Sequence, residues 1–128
     1  MYALLLCQGG DGLNFSAPKS ADALERYKRR MKKIQQRYSA IYEMFGGEKD
    51  SAPDLSVPEI RRPIFSCLKR SLKNLSSLYN PEDYNITKTG DGTFSVHVEP
   101  ELVYVSQLDG DDPVPQHESD IYRKWSKI

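Results

Sequence analysis

Residues that carry most recognisable chemistry are scarce in this chain. Its 128 residues include only two cysteines and two histidines, spread without zinc-ligand spacing, so no metal and no cofactor is expected. Cys7 follows Leu4-Leu5-Leu6 and Cys67 lies between Phe65 and Leu68, settings in which a reduced thiol packs as a small hydrophobe. Two free thiols are therefore expected rather than a disulfide framework. Long apolar runs are missing too. The longest, Met1 to Cys7, is far below the roughly 20 residues that span a bilayer, and it lacks a basic n-region and a small-residue cleavage site. The expected location is intracellular, cytoplasmic or nuclear, neither secreted nor transmembrane. The sequons at Asn14, Asn74 and Asn85 then read as chance matches.

Catalytic signatures are equally thin. There is no glycine-rich phosphate loop and no nucleophile elbow. Ser95, His97 and Glu99 alternate along one stretch and imitate a triad by composition, but polar strand faces commonly look like this; His117 falls in a loop. Asp109-Gly110-Asp111-Asp112 lacks the full twelve-residue calcium-loop pattern and reads as a solvated acidic turn. No catalytic residue and no small-molecule substrate is assigned, so binding rather than turnover is expected.

Composition points to an ordinary globular protein, with 38% hydrophobic and 28% charged residues, and length allows one domain over 1–128. Met1–Cys7 reads as a short buried strand closed by Gly9-Gly10-Asp11-Gly12, with a loop over Leu13–Lys19. Ser20 offers an N-cap. Leu24, Tyr27, Met31, Ile34, Tyr38, Ile41 and Phe45 then recur every three or four residues, which predicts a helix of about 25 residues stopped by Gly46-Gly47. The seam is bulky for a coiled-coil dimer, so it is expected to cover this chain's own core.

Ser56-Val57-Pro58-Glu59 resembles a capping box and predicts a short helix to Arg62, with a kink or restart at Pro63. Beyond it Ile64, Cys67, Leu68, Leu72, Leu75, Leu78 and Tyr79 share a face, with Lys69, Arg70 and Lys73 opposite and Asn80-Pro81 as the stop. The period then changes to two. Tyr84–Thr89 and Phe94–Val98 predict a hairpin around Gly90-Asp91-Gly92, followed by a strand at Leu102–Gln107, a loop over Leu108–Gln116 and a short helix capped by Ser119. The expected order, β-α-(α)-α-β-β-β-α, is an α+β domain with a small antiparallel sheet of three or four strands packed against two long helices.

Zero net charge hides a polarised chain. Residues 1–80 hold 14 basic and 8 acidic side chains, and residues 81–128 hold 4 and 10, an excess of six in each direction. Within the long helix, the run Glu25 to Arg37 holds Arg26, Lys28, Arg29, Arg30, Lys32, Lys33 and Arg37 against a single acid, Glu25. Solvated helices usually interleave acids to gain i,i+4 pairs. This pattern predicts an anionic partner, nucleic acid first and an acidic membrane surface second. Two alternatives compete with it. One is internal compensation by the acidic third. The other is self-assembly as a homo-oligomer of the viral matrix or accessory kind, with basic-to-acidic contacts between copies.

From Ser20 to Glu99 the expected order of long helix, short helix, basic helix and Gly-Asp-Gly hairpin resembles the winged-helix arrangement. That resemblance implies that Lys69, Arg70 and Lys73 form a secondary basic face toward a duplex, with Lys88 near the wing. It rests on element order alone, lacks a strand between the first two helices, and puts Asp91 at the wing tip. The helix-β-β-β-helix order of the second half is similar to a double-stranded-RNA-binding domain, but Gln116-His117-Glu118-Ser119-Asp120 is acidic where that family needs lysines.

Overall fold

The computed structural model describes residues 1–75, 84–106 and 112–128. The chain is an α+β protein. Its elements run α1 Tyr2–Gln8, β1 Leu13–Asn14, α2 Ala21–Met44, α3 Pro58–Leu75, β2 Ile86–Lys88, β3 Thr93–Val96, β4 Tyr104–Val105, β5 Val114–Pro115 and α4 Asp120–Lys127. Two small antiparallel sheets form, one ordered β1-β3-β2 and the other β4-β5. The Leu78, Tyr79 and Asn80-Pro81 expectations, and most of the acidic turn at 109–112, lie outside the described residues.

The long helix forms as its spacing predicts. Ser20 is extended and its hydroxyl accepts from the Ala23 amide, satisfying one orphan donor of the first turn. Met31, Ile34, Tyr38 and Ile41 are buried, whereas both ends of the seam reach solvent at Leu24 and Phe45. Ser119 caps α4 in the same way by accepting from the Tyr122 amide.

Five local expectations fail, each for a physical reason. Met1–Cys7 is the helix α1, not a strand. A short apolar run without alternation fits either form, and here Leu4 and Leu5 are wholly buried while Ala3, Leu6 and Cys7 pack around the same core. The edge strand comes instead from the supposed loop, where Leu13 pairs with Phe94 and Asn14 with Thr93. Pro63 sits inside an unbroken α3. Its missing donor would have served the Glu59 carbonyl, and both residues are exposed, where losing a backbone bond costs less than it does in a core. The Ser56 hydroxyl donates to Asp54 instead of capping α3, and Pro58 is the first helical residue. Finally, Val114 and Pro115 pair with Val105 and Tyr104, turning part of an expected loop into a second sheet.

A single apolar cluster joins Leu4 and Leu5 of α1, Leu13 and Phe15, the α2 seam, Leu55, Phe65, Val96 and Trp125. α1 lies closest against β3, and α3 reaches the sheet through Phe65, whose ring stacks on Phe94 at 4.4 Å between centroids. The α3 face is shifted from the expected one. Phe65 is its buried residue, Ile64, Leu68 and Leu72 are half-buried, and Cys67 and Leu75 are exposed. Among the described residues no helix is long and apolar enough to cross a membrane.

Candidate functional site

Once α2 turns its seam inward, its charged residues have nowhere to go but out. Arg26, Lys28, Arg29, Arg30, Lys32 and Lys33 are all exposed. Lys28 meets Glu25 at 3.3 Å in a solvent-exposed i,i+3 pair, which contributes little. Arg26, Arg29, Arg30, Lys32 and Lys33 have no carboxylate within 4 Å among the described residues. The acidic third does not compensate them there. Asp120 pairs with Arg123 and Glu118 with His117, both within the C-terminal stretch.

Arg37 does not belong to this exposed face. It is 9% exposed, and its guanidinium donates to Gln8 Oε1 and to the main-chain oxygens of Ser126 (3.2 Å) and Ile128 (3.1 Å). Its Nε has no partner among the described residues. The residue counted as a binding cation therefore ties α1 and α4 to α2. The physical reason is its position beside the seam, where the α2 surface meets both short helices. Arg30 and Lys33 stand along the same edge and, with Arg37 and Asp11, border a polar cavity of about 280 Å³.

The secondary basic face is divided by the fold. Lys69, Arg70 and Lys73 are exposed on α3, yet only Lys69 and Lys73 turn toward the hairpin. Lys69 Nζ stands 5.8 Å from the Phe94 ring centroid and Lys88 Nζ 5.2 Å from it, so two ammonium groups share one ring. Around that ring opens a cleft of about 400 Å³ between α3 and the hairpin, walled by Phe15, Phe65 and Phe94 and by Arg61, Arg62, Lys69 and Lys88. Arg61 lies 4.5 Å over Phe15 and donates to the Leu55 carbonyl at 2.7 Å; partial burial pulls its pKa below the ordinary guanidinium value. Among the described residues no side chain lining this cleft is acidic. Sequence reasoning missed the grouping of Arg61 and Arg62 with Phe94 because the arginines lie on α3 and the ring on β3, and no spacing links the two elements.

No family model, curated protein or solved structure matches this chain. The winged-helix order read from Ser20 onward loses its middle helix, since the two segments on either side of Pro63 are one helix. What remains of that likeness is a basic helix beside a hairpin.

At the hairpin tip Asp91 is fully exposed, and hydrogen bonds from Thr89 and Thr93 hold its carboxyl below the usual carboxylate range. Ser95 Oγ and Thr87 Oγ1 each lie 3.2 Å from His97 Nε2, a polar strand-face cluster without Glu99 in it. None of the clefts described here is lined by Ser95 or His97. Among the described residues no group of three His, Cys, Asp or Glu is placed to hold a metal. A further cleft, of about 410 Å³, is apolar and opens between α1, α4 and β4, with Phe45 and Tyr104 on its exposed rim.

Proposed function

We propose that this protein binds nucleic acid through the exposed face of α2. One observation carries the reading: Arg26, Arg29, Arg30, Lys32 and Lys33 project from less than three turns of a packed helix with no carboxylate partner among the described residues. Holding like charges together costs free energy that an anionic ligand offsets. A phosphate backbone fits better than a bilayer. Helices that lie on membranes bury an apolar face in the interface, and the apolar face of α2 is already occupied by the core.

Retention of nucleic acid at low salt tests this. Contacts to about five phosphates of a duplex would give a log K against log salt slope of about −4.5. Reversing Arg29, Arg30, Lys32 and Lys33 to glutamate is expected to abolish retention. Unchanged retention would end the proposal.

Self-assembly is a second reading, favoured by the observation that Glu99, Glu101 and Asp112 are exposed and make no ion pair among the described residues. It requires salt-sensitive oligomers of the purified protein in sedimentation. A monomer at high concentration and low salt counts against it.

A further inference from the structure

We propose that the cleft between α3 and the β2–β3 hairpin is a track for single-stranded nucleic acid, with Phe94 as its stacking platform. This inference rests on the nucleic-acid reading of α2 and names the form of nucleic acid bound.

Three observations support it. First, the cleft combines cations with rings. Arg61, Arg62, Lys69 and Lys88 surround a floor in which Phe65 stacks on Phe94 and meets Phe15 edge-on at 6.0 Å. Proteins that bind single strands pair a basic groove for the backbone with aromatic faces for the bases. Second, Lys69 and Lys88 have no carboxylate within 4 Å among the described residues, so their charge is spent on one half-buried ring. A base sliding onto Phe94 would move both ammonium groups aside to its flanking phosphates. Third, cationic and aromatic side chains extend from the cleft in both directions. Toward α2, Arg61 covers Phe15, the Tyr27 hydroxyl donates to the Phe15 carbonyl at 3.5 Å, and Arg30 stands 5.6 Å from the Tyr27 ring. Along α3, Lys69 also lines the next cleft, which it shares with Lys73 and Asn85. From Arg61 to Lys73 the track is about 18 Å long at 1.5 Å per residue.

The charge pattern also sets its limit. Asp91 closes the hairpin-tip end, because its ionised carboxylate repels phosphate. Gly92 leaves the hairpin wall open beside Ser16: a Cβ there would stand 2.9 Å from the Ser16 hydroxyl. The volume, about 400 Å³, is that of a small-ligand pocket, enough for a nucleotide and far too narrow for a duplex. Paired bases in a duplex offer no free face to Phe94, whereas the flat α2 surface accepts either form.

Fluorescence anisotropy with a labelled oligothymidylate and a duplex of equal length separates the outcomes. Wild type is expected to bind the single strand more tightly. Phe94→Leu, which keeps apolar packing against Phe65 and loses the aromatic face, is expected to weaken single-strand binding about ten-fold and leave duplex binding within two-fold. Lys69→Gln with Lys88→Gln, both on exposed side chains, is expected to flatten the single-strand salt slope by about 1.4. Normal single-strand affinity in both variants, or equal affinity of wild type for the two forms, overturns the track and leaves the α2 reading standing. Failure of wild type to bind either probe overturns both.

Discussion

Replacing Arg37 by alanine tests whether a charge that looks like a ligand contact is instead a structural tie. The guanidinium makes hydrogen bonds to Gln8, Ser126 and Ile128, joining α1 and α4 across α2. Hydrogen bonds to a charged group contribute about 1.5–3 kcal/mol each before other costs. Burial of an unpaired guanidinium, here with an unpartnered Nε, costs several kcal/mol in return. The net loss in Arg37→Ala is expected to be about 3 kcal/mol, since three acceptors lose their donor and the aliphatic stem leaves a gap. For 128 residues, an unfolding entropy of about 0.27 kcal/mol/K turns this into a fall in Tm of about 11 °C. Urea melts followed by fluorescence report it directly, because the sole tryptophan, Trp125, lies in α4 and stacks on Phe45 at 6.3 Å. Lys33→Ala, one turn away and exposed, should stay within about 0.5 kcal/mol of wild type. An Arg37→Ala protein as stable as Lys33→Ala would refute the tie and return Arg37 to the binding face.

Two further outcomes follow from the backbone and the thiols. Pro63→Ala restores a donor to the Glu59 carbonyl at an exposed position and is expected to raise stability by about 1–3 kcal/mol in urea titration; a loss would mean that the proline shapes α3 in a way its exposure does not suggest. Burial pushes the Cys7 thiol up to about 11, while Cys67 stands exposed on α3. Iodoacetamide at neutral pH should therefore label Cys67 first, as read by mass spectrometry, with Cys7 reacting only as alkaline pH approaches that value. The same shift has a sign for stability. Between 9.0, the unperturbed value, and about 11 the unfolded chain ionises this thiol and the folded chain does not, so its contribution to stability is lost as pH rises through that window.

What could be read from the sequence was local. Ser20, the α2 spacing and the Gly90-Asp91-Gly92 turn each encode their element within a few residues, and each element formed. The same holds for the exposed α2 cations, whose direction follows from a seam that must be buried. What escaped depends on partners far along the chain. Met1–Cys7 becomes a helix because it is enclosed, Leu13–Asn14 a strand because Thr93 and Phe94 offer an edge, and Val114–Pro115 a strand because Tyr104–Val105 is beside it. Arg37 reads as one more cation of a basic run, and only α1 and α4 together make it an interior residue. The cleft around Phe94 was half legible. Lys69 and Lys88 stood out by charge, and the hairpin turn sets Lys88 opposite Phe94, but the packing of α3 against that ring follows from no short pattern.

The pairing of Leu13 with Phe94 also bears on how the chain comes to be folded while it is made. The β2–β3 hairpin needs only its own turn, and it closes in microseconds. The third strand must be recruited across some 80 residues, a closure that costs about 4 kcal/mol of chain entropy. At a translation rate of about 5–20 residues per second, Leu13 waits about 4–16 s before Phe94 has been synthesised. Once the hairpin has formed, and until Leu13 docks, the β3 edge opposite β2 is uncovered and can pair with the edge of another chain. Synthesis of this protein therefore includes a period, after Phe94 is made and before Leu13 docks, in which one edge of its central strand is open to pairing.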